Sequence, residues 1–203
     1  MVEIYSHSKL WLFENCPEAY KIKYIDKTFP EIPKSVEAFL GDIVHQALEW
    51  FYEEIQKRKF NDLDNLIEKF ANLWNENFSN EYRLNSYLKV EDYLNKGIKF
   101  LVDYYYKNKP FVENTIAIEK KIIFPLDAET NYLIQGYIDR VVLNNNGEYE
   151  IHDYKTNDSL KSKEQIDADR QLAFYHLGLQ ETFGKNIKVN LIWHFLAHNK
   201  TVL

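Results

Sequence analysis

Two apolar runs in "GYIDRVVLNNNGEYEIHDYKT", Gly136 to Thr156, end on charge: Asp139–Arg140 on one side and Asp153–Tyr154–Lys155 on the other. An Asn-rich turn joins them. Side chains alternate along a strand, so Asp153 and Lys155 share a face. Closing the turn over Asn145, Asn146 and Gly147 pairs Asn144 with Glu148, and counting back sets Asp139 opposite Asp153. A four-residue loop would shift that alignment by one. Opposed carboxylates on a sheet repel, and buried ones resist ionisation until something neutralises them. A divalent cation does so, and carboxylate oxygens suit Mg²⁺ or Mn²⁺ better than zinc, which favours His and Cys clusters. Lys155 could then polarise a water or stabilise charge developing on a phosphate. A surface ion pair between Asp153 and Lys155 is the competing reading.

Three features elsewhere bear on that choice. His45 follows Gly41 by four, so both share a helical face. The missing side chain at 41 would admit another backbone, and the imidazole could supply a nitrogen ligand. Gln171 and Tyr175 are likewise four apart, and their amide and hydroxyl could hold a phosphate or a scissile strand. Glu119 could add an outer acid.

The elements that must position these groups follow from periodicity. Ser6 or Ser8 caps a helix with Leu10, Phe13, Cys16, Tyr20 and Tyr24 on one side. Ser35 caps another, to about Lys57, burying Val36, Phe39, Ile43, Ala47 and Phe51. Two more helical stretches cover about Leu63–Phe78 and Val90–Lys107. After Pro110 the period changes, and "TIAIEKKIIFPL", "NYLIQGYIDRVVL" and "GEYEIHDYKT" read as strands. One helical stretch then runs through Ile166, Leu172 and Leu179 to a Gly184 cap, and "NIKVNLIWHFL" is a last strand. The expectation is a single domain over 1–203, with a helical insertion at about 61–109 and core elements at about 35–57 and 111–197.

At 203 residues the chain can bury a proper core. A net charge of −6 argues against a protein that simply coats nucleic acid. It leaves room for an enzyme acting on nucleic acid, since metal-binding carboxylates add to the negative sum. Any nucleic-acid path would be a local channel, with Lys9, Lys21, Lys23 and Lys161 as candidate lining. The many Tyr and Phe read first as core filler. The sole cysteine, Cys16, cannot form an intramolecular disulfide, which fits a reducing compartment. Neither a signal peptide nor a bilayer-spanning run is visible, so the expected location is cytoplasmic.

Five ordered pieces, "CPEAYKIKY", "FLGDIVHQALEWF", "IQGYIDRVV", "EIHDYKT" and "DRQLAFYHLGL", resemble the PD-(D/E)XK nuclease superfamily. The likeness is to its RecB-like exonuclease branch, which includes CRISPR-associated RecB-like exonucleases. The resemblance implies an α+β (α/β), restriction-endonuclease-like αβββαβ core with a mixed four-stranded sheet and a helical N-terminal part. It implies that His45, Asp139, Asp153 and the backbone carbonyl of Tyr154 ligate Mg²⁺ or Mn²⁺, with Lys155 as the catalytic lysine. Gln171 and Tyr175 match the motif that follows and would support the substrate or Lys155. The implied reaction is hydrolysis of DNA phosphodiesters, with one or two ions, on single strands or ends, alongside protein partners in repair, recombination or defence.

One departure stands out. Many relatives hold an iron–sulfur cluster through the Cys of the N-terminal "CP" and three later cysteines, whereas Cys16 is alone here. No cluster is expected, and Cys16 reads as a small buried residue. A non-catalytic DNA-binding or scaffolding subunit of the same fold is the alternative function, and an RNA-directed nuclease a more distant one.

Overall fold

A computed structural model describes residues 2–203 apart from 31, 60–61, 85–86, 127–128, 130, 161 and 168. Seven α-helices occur among the described residues: α1 (His7–Asn15), α2 (Pro17–Tyr20), α3 (Val36–Gln56), α4 (Leu63–Asn77), α5 (Val90–Asn108), α6 (Lys163–Asp167) and α7 (Arg170–Phe183). Six strands accompany them: β1 (Glu3–Tyr5), β2 (Thr115–Pro125), β3 (Tyr132–Leu143), β4 (Tyr149–Lys155), β5 (Val189–Phe195) and β6 (Lys200–Val202). The sheet runs in the order β1-β3-β4-β5-β6, with β2 also on β3. It is mixed, because β1 lies parallel to β3 while β3–β4 and β5–β6 are antiparallel. The succession α3, β2, β3, β4, α7, β5 is the expected αβββαβ core.

Four expectations need correction. The sheet has six strands rather than four, since β1 and β6 are three residues each and too short to show a period. The N-terminal helix is not continuous. Pro17 restricts Cys16, which adopts φ −155° and ψ 85°, so α1 stops there and α2 begins with proline, followed by a π-helical turn at Lys21–Ile25. Cys16 is exposed rather than buried, because neither α1 nor α2 buries a residue. The stretch through Ile166 and Leu172 is also two helices, as the Asp169 carboxylate accepts from the Gln171 N–H at 2.8 Å and restarts the chain as α7.

The chain divides into two compact units. One comprises Met1–Ile32, Lys120–Ile138 and Lys161–Val189, and the other Pro33–Glu119, Asp139–Leu160 and Asn190–Leu203. The first buries Ile122, Ile134, Ile138 and Leu179. In the second, α3, α4 and α5 pack on one another around Phe39, Leu48, Phe51, Phe70 and Leu101. Ser35 caps α3, its hydroxyl accepting from the Ala38 N–H at 3.2 Å. Gly97 lets α5 close on its neighbours, since a Cβ there would sit 2.3 Å from Phe70 Cζ and 2.7 Å from Leu40 Cδ1. Gly97→Ala is therefore expected to destabilise the fold by about 1–3 kcal/mol through overpacking, read as a lower midpoint in denaturant unfolding. No described helix is long and apolar enough to cross a membrane.

Candidate metal centre

The β3–β4 hairpin sets the centre. Its ladder pairs Arg140 with His152, Val141 with Ile151, Val142 with Glu150 and Leu143 with Tyr149. The Asn144 N–H donates to the Glu148 carbonyl at 2.9 Å, and Gly147 takes φ 76° in the turn. The same count, one step further, places Asp139 across from Asp153. The three-residue closure expected from the sequence is the one adopted.

Asp139 is held from two sides. Its Oδ2 accepts from the Tyr154 N–H at 2.7 Å and lies 3.5 Å from His45 Nδ1. His45 stands on α3 and donates through Nε2 to the Tyr154 carbonyl at 2.9 Å. Both ring nitrogens thus face acceptors, the arrangement of a protonated imidazole. Burial opposes that charge, but Asp139, by field and hydrogen bond, and then Asp153 overcome it and lift His45 to about 9. Four residues earlier on α3, a Cβ at Gly41 would lie 3.0 Å from Thr156 Oγ1. The close neighbour that Gly41 admits is thus a side chain, on the residue after Lys155.

Glu119 completes the group. A ligand atom from each of His45, Glu119 and Asp139 lies within 4.8 Å of the others. Burial, with the Asp139 charge next, pushes the Glu119 carboxyl up to about 7. Its backbone takes φ 45°, in the left-handed region, inside β2. Asp153 is nearly fully buried, and its Oδ2 sits 2.7 Å from Lys155 Nζ. Burial raises its pKa, with Lys155 opposing and Asp139 adding. Lys155 also lies 4.9 Å from the centre of the Trp193 ring. The ion pair therefore coexists with the cluster, and its acid is buried rather than on the surface.

Gln171 and Tyr175 belong to the other compact unit. The Gln171 amide donates to the Tyr175 hydroxyl at 2.6 Å, and both line a cavity of about 240 Å³ beside Ser6, His7 and Ser8. Lys9 lies 4.2 Å from the Tyr5 ring centre, Lys21 is 3.9 Å from Asp26, and Lys23 faces Tyr24 at 5.4 Å. Lys161 falls outside the described residues.

The family model described as the PD-(D/E)XK nuclease superfamily matches residues 4–201. The chain belongs to the PD-(D/E)XK nuclease superfamily. A search of curated proteins found no match. Membership implies a nuclease that works with divalent metal, and the donor set of this PD-(D/E)XK protein fits one. Two carboxylates and an imidazole converge, with the Tyr154 carbonyl next to them, a hard-oxygen set with one nitrogen. Glu119 belongs to the converging group rather than outside it. Cys16 offers one thiolate, too few for a cluster.

A cation entering this centre must displace the His45 proton and, near neutrality, the Glu119 proton. Mn²⁺ affinity is therefore expected to fall about tenfold per pH unit below about 9, and more steeply below about 7. Calorimetric titration between pH 8.5 and 6.5 checks this. A flat profile would mean that His45 does not compete for the ion.

Proposed function

We propose that this protein is a cytoplasmic deoxyribonuclease of the RecB-like branch that hydrolyses DNA phosphodiester bonds with Mg²⁺ or Mn²⁺. It acts as an exonuclease on single strands or ends, in repair, recombination or defence. The observation that carries the reading is the convergence of His45, Glu119 and Asp139 next to the Lys155–Asp153 pair. Asp139, Glu119 and His45 would hold the ion, with the Tyr154 carbonyl steadying the imidazole through Nε2, and Asp153 would complete the negative field. When bound, the ion supplies Lewis-acid charge to the phosphodiester and to the attacking water.

The chain's own groups do the rest. Lys155 sets positive charge where the phosphate becomes more negative, and Asp153 and Trp193 keep its flexible stem from wandering. The unit carrying the cluster also carries the chain's whole excess of acidic over basic residues. That field draws a divalent cation in before a polyanion can approach.

The test is incubation of end-labelled single-stranded DNA, double-stranded DNA and RNA with Mg²⁺, Mn²⁺ or EDTA. Shortening of DNA from its ends, abolished by EDTA, is the expected result. Metal binding without cleavage of any of the three would favour a DNA-binding or scaffolding subunit, and preferential cleavage of RNA would reassign the substrate.

A further inference from the structure

Strand alternation that turns Asp139 toward the cluster turns Arg140 the other way, into the interior, where it is 1% exposed. Four hydrogen bonds engage its five N–H donors there. Nε donates to the Tyr154 hydroxyl at 3.0 Å, one terminal nitrogen to Glu113 at 2.6 Å and Thr115 at 3.2 Å, and the other to His152 Nδ1 at 2.8 Å. The plane also lies 4.1 Å over the Tyr52 ring.

Because arginine can only donate, its contacts fix the protons of its neighbours. The Tyr154 oxygen accepts from Arg140 and lies 3.2 Å from the Tyr104 hydroxyl, which in turn hydrogen-bonds the Tyr52 hydroxyl at 2.6 Å. His152 must present a bare Nδ1, and His194 Nε2, 2.9 Å from that atom, must carry hydrogen. The His152 ring is then neutral, and burial lowers the pKa of both rings.

Such a centre is a poor way to gain stability. The carboxylate paired with this buried charge comes from Glu113, whose side chain is 42% exposed. Buried charges of this kind are often matched or bettered by apolar packing. What the arrangement does fix is Tyr154. The ring is held by Arg140 and Tyr104, while the main chain of the same residue supplies the N–H on Asp139 and the carbonyl on His45.

We propose that Arg140 is a positioning residue that, by locking the Tyr154 ring, fixes the peptide groups on which Asp139 and His45 are hung. It thereby sets the geometry of the ion site without touching it. The part that concerns the ion rests on reading the His45–Glu119–Asp139 cluster as a metal site.

Arg140→Lys keeps a cation but not the fork, and Tyr154→Phe removes a single oxygen while leaving the main chain intact. Two measurements read the effect. In metal-free protein, the Tyr154 amide is expected to exchange with solvent at least about tenfold faster in both variants, relative to the Leu48 amide in α3. Calorimetric Mn²⁺ affinity is expected to fall about tenfold to a hundredfold, the range for groups that orient ligands. Leu66→Ala, a core truncation in α4, should lower thermal stability and leave both readouts in place. If either variant folds with Tyr154 exchange and Mn²⁺ affinity within twofold of wild type, the proposal is overturned. Should Arg140→Lys fail to fold, Tyr154→Phe decides. If wild type binds no Mn²⁺, the metal reading fails, and the exchange measurement still judges the role of Arg140.

Discussion

Lys155→Met is expected to slow metal-dependent DNA cleavage by about 10²–10⁴-fold while changing Mn²⁺ affinity less than about threefold. The rate effect follows from removing a fixed positive charge from the place where the phosphate gains negative charge. The small effect on affinity follows from the partner of Lys155. Asp153 is buried, and its ionised form depends on the ammonium 2.7 Å away. Without Lys155 it takes up a proton rather than remain an unpaired buried carboxylate. One positive and one negative charge disappear together, so the field at the cluster barely changes. Single-turnover cleavage and calorimetry on the same preparation separate the two quantities. Cleavage within tenfold of wild type would remove Lys155 from the chemistry.

Asp139→Asn is expected to weaken Mn²⁺ binding at least about a hundredfold and to suppress cleavage with it. Asparagine keeps an oxygen for the Tyr154 N–H, so the hairpin should survive. It withdraws one of the two carboxylates in the cluster and the charge that keeps His45 protonated. The thermal signature is specific. Wild type should melt higher as Mn²⁺ is added, by about 2.7 kcal/mol at a hundred times Kd, and the variant should show little of that gain. Metal-free, the variant loses the Asp139–His45 attraction along with the repulsion from Glu119 and Asp153, so the two changes offset and the Mn²⁺-dependent gain is the readout. A variant that gains as much from Mn²⁺ as wild type would place the ion elsewhere.

The hairpin was legible because its register depends on local counting. A three-residue closure at Asn145–Gly147 determines which side chains face each other, and periodicity two does the rest. His45 was legible from its spacing to Gly41 on a strongly periodic helix, and the buried positions of α3 follow the same pattern. Glu119 was seen as an outer acid, and its place in the cluster was not. Alternation predicts side-chain direction only while the backbone stays extended, and at Glu119 it leaves that region. Arg140 was hidden for a different reason. A charged residue next to an acid reads as a surface pair until burial is known, and its partners Glu113, Thr115, His152, Tyr154 and Tyr52 come from a loop, two strands and a helix. The break at Cys16 was written in Pro17 but outweighed by the apolar spacing on either side. The strands β1 and β6 carry too few residues to show a pattern.

The left-handed backbone at Glu119 implies a trade between durability and function. A glutamate there costs roughly 1–2 kcal/mol that glycine or asparagine would largely avoid. Its carboxylate adds repulsion from Asp139, which glycine would remove along with the strain. Glu119→Asn is thus expected to raise the melting temperature of the metal-free protein while weakening its hold on Mn²⁺. A screen that selected this fold for heat resistance alone would discard the acid first.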